Sequence, residues 1–292
     1  MTTFIDYLLG GFSSGAVIAL FALALVLVWR STRIVNFAQV GQAMFTTFIA
    51  LVVQRSTGSW FLALLAGLIA GGILGLIVYA LVLRPVQRLD TSGSIIATFG
   101  VLISLQALAA MIWGGEPQSF PPPVANNGLE IAGRIWPISW YDVLVYAVTA
   151  VLVIALTLLF TRTSLGLSMR ASAFNPEVAK LSGIRVNRML AFGWALAGVV
   201  GAVAGVLVAP TASLSPNSFD ILLIFAFTAA VVGGLDSLIG AVAFGIGTGL
   251  VLALVTGYGE AGDAPIIVLI LLAITLVVRP GGVFGRGKSR AV

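Results

Sequence analysis

Apolar residues run along this chain in long blocks, and charged residues cut the blocks apart. Charge-free runs cover residues 7–29, 34–54, 56–83, 91–115, 143–161, 189–219 and 237–259. Each meets or approaches the ~20 residues that a helix needs to cross a bilayer core. Two further runs, 221–235 and 264–278, have 15 residues each. At 1.5 Å per residue they make helices of roughly 22 Å against a core of ~30 Å. They either reach past their flanking charges by snorkelling or are re-entrant. A spanning helix satisfies every backbone polar group within itself, so helix is the element such blocks predict. The pattern predicts an all-α polytopic membrane protein with about eight or nine transmembrane helices, some of them broken or re-entrant.

Composition agrees with this. Of 292 residues, 60% are hydrophobic and only 9% charged, with a mean hydropathy of +1.13; a soluble domain carries about a quarter charged residues. The 34 glycines suit helices that approach one another closely in lipid. There is no cysteine and no histidine. Disulfides, thiolate chemistry, His-ligated metals and His-based acid–base catalysis are therefore excluded, and neither a catalytic nor a metal site is expected. The first apolar run lacks a basic segment before it and an obvious small-residue cleavage site, so it should remain as a helix.

The net charge of +5 could suggest nucleic acid, but the placement of the charges argues otherwise. Nine crossings threaded from an outside N-terminus put Arg30, Arg33, Arg84, Arg88, Arg162, Arg170, Lys180, Arg185, Arg188, Arg279, Arg286, Lys288 and Arg290 in the cytoplasm, and only Arg55 and Arg134 outside. Asp6, Glu116, Glu130, Asp142, Asp220, Glu260 and Asp263 fall outside. This is the positive-inside bias of a membrane protein, with a cytoplasmic C-terminus. The longest stretches outside the membrane are 114–140 externally and 162–188 internally, and residues 279–292 form a basic tail. The first is rich in Pro, Gly and Asn and reads as an ordered external loop. It serves either as a contact for a solute-delivering partner or as a plain connector.

The internal stretch is punctuated as a short helix. Asn175 suits the N-cap, Pro176 the first helical position and Glu177 the positive N-terminal end. Lys180 lies near the negative end, and Gly183 suits the left-handed residue beyond it. A helix of about two turns follows over 176–182, with Val178 and Leu181 on one face. That face either packs on its own protein or docks into a groove of another subunit.

Residues 177–183, EVAKLSG, resemble the E-A-A-x-x-x-G motif of ABC-transporter permeases, with Val178 in place of the first Ala beside Ala179. Three more stretches, VNFAQVGQ at 35–42, TAAVVGGLDSLIGA at 228–241 and VRPGGVFGR at 278–286, are similar to the LivH-type permeases of branched-chain amino acid importers. The similarity runs in order from residue 10 to 286. Two positions depart from it: Gln39 stands where His is usual, and Asp236 intrudes where a small residue is common. The resemblance implies one transmembrane permease domain over 1–292, with 162–188 as the segment that couples to an ATPase. It implies a second permease or a copy of this chain, two cytoplasmic ATPases holding ATP and magnesium, and an extracytoplasmic solute-binding protein, in a bacterial or archaeal cytoplasmic membrane. No cofactor is then expected on this chain. The solute would be a branched-chain amino acid or a related small polar molecule such as urea, a short amide or another amino acid.

Gly282 to Ser289, GVFGRGKS, formally fits the phosphate-binding G-x-x-x-x-G-K-[ST] pattern. That loop works between a strand and a helix, whereas here a membrane run and Pro280 precede it. It reads as a chance match, and this chain is not expected to hydrolyse ATP. Asp236 is either a carboxylate at depth, which would be functional, or part of a solvated turn at the cytoplasmic surface, where the threading puts it. Asn36, Gln39 and Gln42 place three amides within seven residues. A small zwitterion needs uncharged donors and acceptors of this kind, and Thr98, Gln106 and Thr228 are further candidates. Each of the six either lines a substrate pathway or bonds a neighbouring helix. An ion-coupled carrier or channel is the alternative function, but carriers usually place carboxylates, His or basic residues inside the bundle.

Overall fold

The computed structural model describes residues 2–86, 91–131 and 134–285. Arg88, Arg286, Lys288 and Arg290, and with them the end of the formal phosphate-loop pattern, lie outside the described residues. Each of the nine charge-free runs carries a helix: α1 Thr2–Thr32, α2 Gln39–Thr57, α3 Trp60–Val86, α4 Thr91–Trp113, α5 Trp140–Arg162, α8 Val186–Val208, α9 Asp220–Gly233, α10 Leu238–Tyr258 and α11 Ala264–Val278. Two helices lie in the polar stretch between α5 and α8: α6 Ser164–Phe174 and α7 Pro176–Leu181. Six of the nine are long and apolar enough to cross a membrane, and the chain is a multi-pass membrane protein.

Burial divides these helices into an inner and an outer set. The apolar stretches of α1 and α8 are 83% and 72% buried, those of α3, α4 and α5 only 28%, 22% and 22%. The outer helices turn large side chains such as Phe61, Leu81, Ile96 and Met111 away from the protein. So much exposed apolar surface is what a lipid solvent permits. Small residues let the inner helices be covered closely. A Cβ on Gly15 of α1 would lie 2.7 Å from Ile246 Cα of α10, and one on Gly71 of α3 would lie 2.9 Å from the carbonyl carbon of Gly198 of α8. Backbone thus packs on backbone at both crossings, the contact that drives helix association when lipid surrounds the bundle.

The two short helices do not reach past their flanking charges. α9 has 14 residues and stops at Gly234, whose φ is +96°; α11 has 15 and stops at Arg279. The chain after α11 folds back on the end of α9. Val283 N donates to Val232 O at 2.8 Å and Phe284 N to Gly233 O at 3.3 Å. Gly282, with φ +78°, and Gly285 lie directly against Gly234, where a side chain on any of the three would collide with backbone.

α2 begins well inside the bundle. Ser31, at the end of α1, touches Gly193, while Gln39 touches Gly201 of the same α8. Those two glycines are eight residues apart, about 12 Å along the axis, and Gly201 lies past the midpoint of α8. The chain between Arg33 and Ala38 therefore climbs to mid-depth without helical structure, with Ile34, Asn36 and Ala38 buried. Irregular backbone at membrane depth is tolerated only when protein or a cavity surrounds it.

The external stretch holds an antiparallel hairpin, β1 Gly128–Ile131 and β2 Arg134–Ser139, with Leu129 opposite Trp136 and Glu130 opposite Ile135. Ser139 ends β2 and caps α5 in a reciprocal box with Asp142. Gln118 fastens the loop to the α8–α9 connection through two backbone bonds with Leu214, of 2.8 and 2.9 Å. Its side chain also accepts from Arg55 Nη1 at the end of α2, at 2.8 Å.

Candidate functional site

The buried amides hold the α1–α2 break in place. Asn36, Gln39 and Gln42 are all buried. Asn36 Oδ1 accepts from Ala38 N at 3.1 Å, Asn36 Nδ2 donates to Gln39 Oε1 at 3.1 Å, and Gln39 Nε2 donates to Ala197 O at 3.0 Å. Asn36 thus satisfies a backbone N–H that the missing helical turn leaves open, and Gln39 ties the break to α8. Thr98 of α4 joins them, because its Oγ1 accepts from Phe37 N at 3.4 Å while donating to Ile95 O. The Phe37 ring stacks on Phe99 at 4.4 Å and meets Phe227 of α9 at 5.7 Å. Phe227 precedes Thr228, so α2, α4 and α9 converge here.

Gln42 and Thr228 differ from the rest. Both are buried, and neither the Gln42 carboxamide nor the Thr228 hydroxyl finds a partner among protein groups. An unpaired buried donor or acceptor costs about 1–3 kcal/mol. Such groups persist where they serve a ligand, water or a second conformation. Of the six pathway candidates, then, Asn36, Gln39 and Thr98 are engaged in holding the break, and Gln42 and Thr228 keep open polar groups. Gln106 lies apart, donating to Asp220 Oδ1 at the start of α9 at 2.7 Å. The aromatic group around Phe37 was not foreseeable, because three separated segments build it.

α7 is capped as its sequence predicts. Asn175 Oδ1 accepts from Glu177 N and Val178 N at 3.2 and 3.1 Å, and Pro176 occupies the first turn. The C-terminus closes with Ile184 N on Ala179 O at 3.0 Å and Gly183 N on Lys180 O at 2.9 Å, with Gly183 at φ +80°. Ala179 points inward and is buried. Glu177 and Lys180 are exposed. Phe174, the last residue of α6, and Val178 and Leu181, three apart on α7, are 85%, 55% and 89% exposed. The helix thus rests on its own protein by Ala179 and leaves its larger apolar face bare.

Asp236 lies in the turn after Gly234, half-exposed, and pairs with Arg33 of the α1–α2 connection. Ser237 beside it caps α10 by accepting from Gly240 N at 2.9 Å. This is the solvated-turn reading of Asp236. The pair brings the α1–α2 connection to the turn between α9 and α10, against which the chain after α11 also packs. Among the described residues no group of three acidic residues could hold a metal ion.

Comparison with known proteins places these features in a family. The family model described as "Branched-chain amino acid transport system / permease component" matches residues 7–279. The chain is 32% identical to the probable branched-chain amino acid transport permease protein LivH of Methanocaldococcus jannaschii, over 92% of this chain and 88% of that one. It is 27% identical to the high-affinity branched-chain amino acid transport system permease protein LivH of Salmonella typhimurium, over 99% and 98% of the two chains. It is also 28% identical to the autoinducer 2 import system permease protein LsrC of Yersinia pestis, over 84% of this chain and 65% of that one. No solved structure matches the chain. With a match that spans nearly every helix described above, the chain belongs to the family of permease components of branched-chain amino acid transport systems.

Proposed function

We propose that this chain is the membrane-embedded translocation subunit of an ATP-driven importer for branched-chain amino acids or related small polar solutes. The observation that carries the reading is the bare apolar surface where α6 meets α7: Phe174 at the end of α6 is exposed beside Val178 and Leu181, which project from a helix capped at both ends. A soluble-side helix that turns such residues away from its own bundle suits a groove on a neighbouring subunit. Nucleotide-driven movement of that neighbour would push on α7 and bias the bundle between outward-open and inward-open states. Residues Asn175 to Leu181 and Gly183 form the coupling element, and Asn36, Gln39, Gln42, Thr98, Gln106 and Thr228 belong to the solute pathway.

 Gln106 stands apart from the other five, on α4 and bonded to Asp220 at the start of α9. ATP and magnesium would be held by two cytoplasmic ATPases and not by this chain, which would pair with a second permease or a copy of itself. An extracytoplasmic binding protein would deliver the solute. The chain would sit in the cytoplasmic membrane with its N-terminus outside and its C-terminus inside, the orientation that the positive-inside bias of its basic residues favours.

The test is co-purification with the ATPases, together with ATP-dependent uptake of L-leucine in proteoliposomes. Leu181→Glu, Glu177→Lys and Gly183→Pro should each leave the protein inserted. ATPase association should weaken at least about tenfold, as for loss of an interface hot spot. Normal association and uptake in all three variants would defeat the reading, as would leucine transport by the lone chain.

A further inference from the structure

A cavity of about 580 Å³ opens at the opposite end of the bundle from Asp236. It lies among the starts of α1, α5, α9 and α11 and the ends of α8 and α10. The volume is in the range of small-molecule pockets. Its walls are mostly aliphatic, including Val17, Val145, Leu207, Ile221 and Leu252.

The polar side chains of the wall share one property. Tyr141 donates its hydroxyl proton to Leu207 O at 2.7 Å, Thr211 to Val208 O at 2.9 Å, Thr256 to Leu252 O at 2.8 Å and Ser14 to Gly10 O at 3.2 Å. Ser13 donates to Asp142 Oδ1. Every hydroxyl proton is already bound within the protein, so these side chains offer the cavity acceptor oxygens only. Asp142 adds a carboxylate. The capping box occupies its Oδ2, which accepts from Ser139 N and Ser139 Oγ at 2.7 Å each, and leaves Oδ1 with room beside Ser13. The ion pair found among the described residues is Arg33–Asp236, so no described cation answers Asp142.

We propose that this cavity binds a primary ammonium group carried on a short aliphatic body. The ammonium's three donors would meet Asp142 Oδ1 and the hydroxyl oxygens, and the aliphatic part would meet the remaining wall. An anion finds no side-chain donor there. This deepens the proposed function, on which it rests for its ligand: a free branched amino acid arriving from outside fits the description. An ethanolamine lipid headgroup carries the same ammonium chemistry.

The absence of cysteine makes the test direct. Thr256→Cys, in the full chain in phosphatidylcholine nanodiscs, would carry the only thiol and report on the cavity through its rate of reaction with a membrane-impermeant methanethiosulfonate. L-Leucine and 3-methylbutan-1-amine should slow labelling at least tenfold, and 4-methylpentanoate should not. Adding Asp142→Asn should remove protection while leaving the unprotected rate unchanged, which shows that the cavity is still formed; Asp142→Glu should restore protection. Protection that appears only when phosphatidylethanolamine is included, and vanishes in Asp142→Asn, would support the ammonium site with lipid as its source. Absence of protection by amine or lipid, equal protection by 4-methylpentanoate, or protection that survives Asp142→Asn would overturn it. The assay needs no ATPase, so it fails independently of the importer reading.

Discussion

Arg33 and Asp236, 203 residues apart, form an ion pair at the basic end of the bundle. The pair ties the α1–α2 connection to the turn between α9 and α10, on which the chain after α11 also rests. Both side chains are 42% exposed, and exposed pairs contribute less than about 1 kcal/mol. Asp236→Asn should therefore shift the thermal unfolding midpoint only slightly and leave uptake largely intact. Loss of transport together with loss of proton or sodium dependence would instead mark Asp236 as an ion-coupling site.

Gln42 makes a prediction with two opposite signs. Leu has a similar volume and no polar groups, and the Gln42 carboxamide has no protein partner. Gln42→Leu should stabilise the purified protein, or leave its stability unchanged, by relieving about 1–3 kcal/mol of unpaired burial. The same change should lower uptake if the amide serves the solute. A destabilised variant, measured by thermal unfolding in detergent, would show that the amide is bonded within the bundle.

The α3–α8 crossing tolerates no side chain at Gly198, where a Cβ would run into the backbone of Gly71. Gly198→Leu should cost about 1–3 kcal/mol or more through overpacking. Gly10, whose added Cβ would meet nothing within 4 Å, is the control: Gly10→Ala should be close to neutral. Fluorescence-detected gel filtration after heating separates the two.

Asn175→Ala removes the acceptor for two first-turn amides of α7 and should destabilise that helix by about 1 kcal/mol. Faster hydrogen exchange confined to Glu177 and Val178 is the expected readout, with the transmembrane helices unchanged.

The helical blocks were legible because charge interrupts them and lipid requires the rest to be apolar. α7 was legible from its caps alone, since Asn175, Pro176 and Gly183 act through local backbone geometry. The start of α2 at mid-depth was not legible: VNFAQVGQ carries no marker of height, and only the contact of Gln39 with α8 fixes it. The acceptor-lined cavity was hidden for a similar reason, because six helix ends build it. One piece of it was open to the sequence, however: the S-x-x-D spacing of Ser139 and Asp142 is a capping-box signature. α9 ends early because Gly233 and Gly234 bring in the segment after α11, a contact that spacing cannot reveal.

The buried beginning of α2 bears on how the chain is made. Gln39 is satisfied by the Ala197 carbonyl, which is synthesised 158 residues later. Until then the Gln39 Nε2 donor has no partner, and the emerging segment is poorly suited to remain alone in hydrocarbon. Its final seating must wait for α8, so ribosome-bound chains that stop before Val186 should leave α2 loosely held, and completion of the protein becomes a late, nearly simultaneous event.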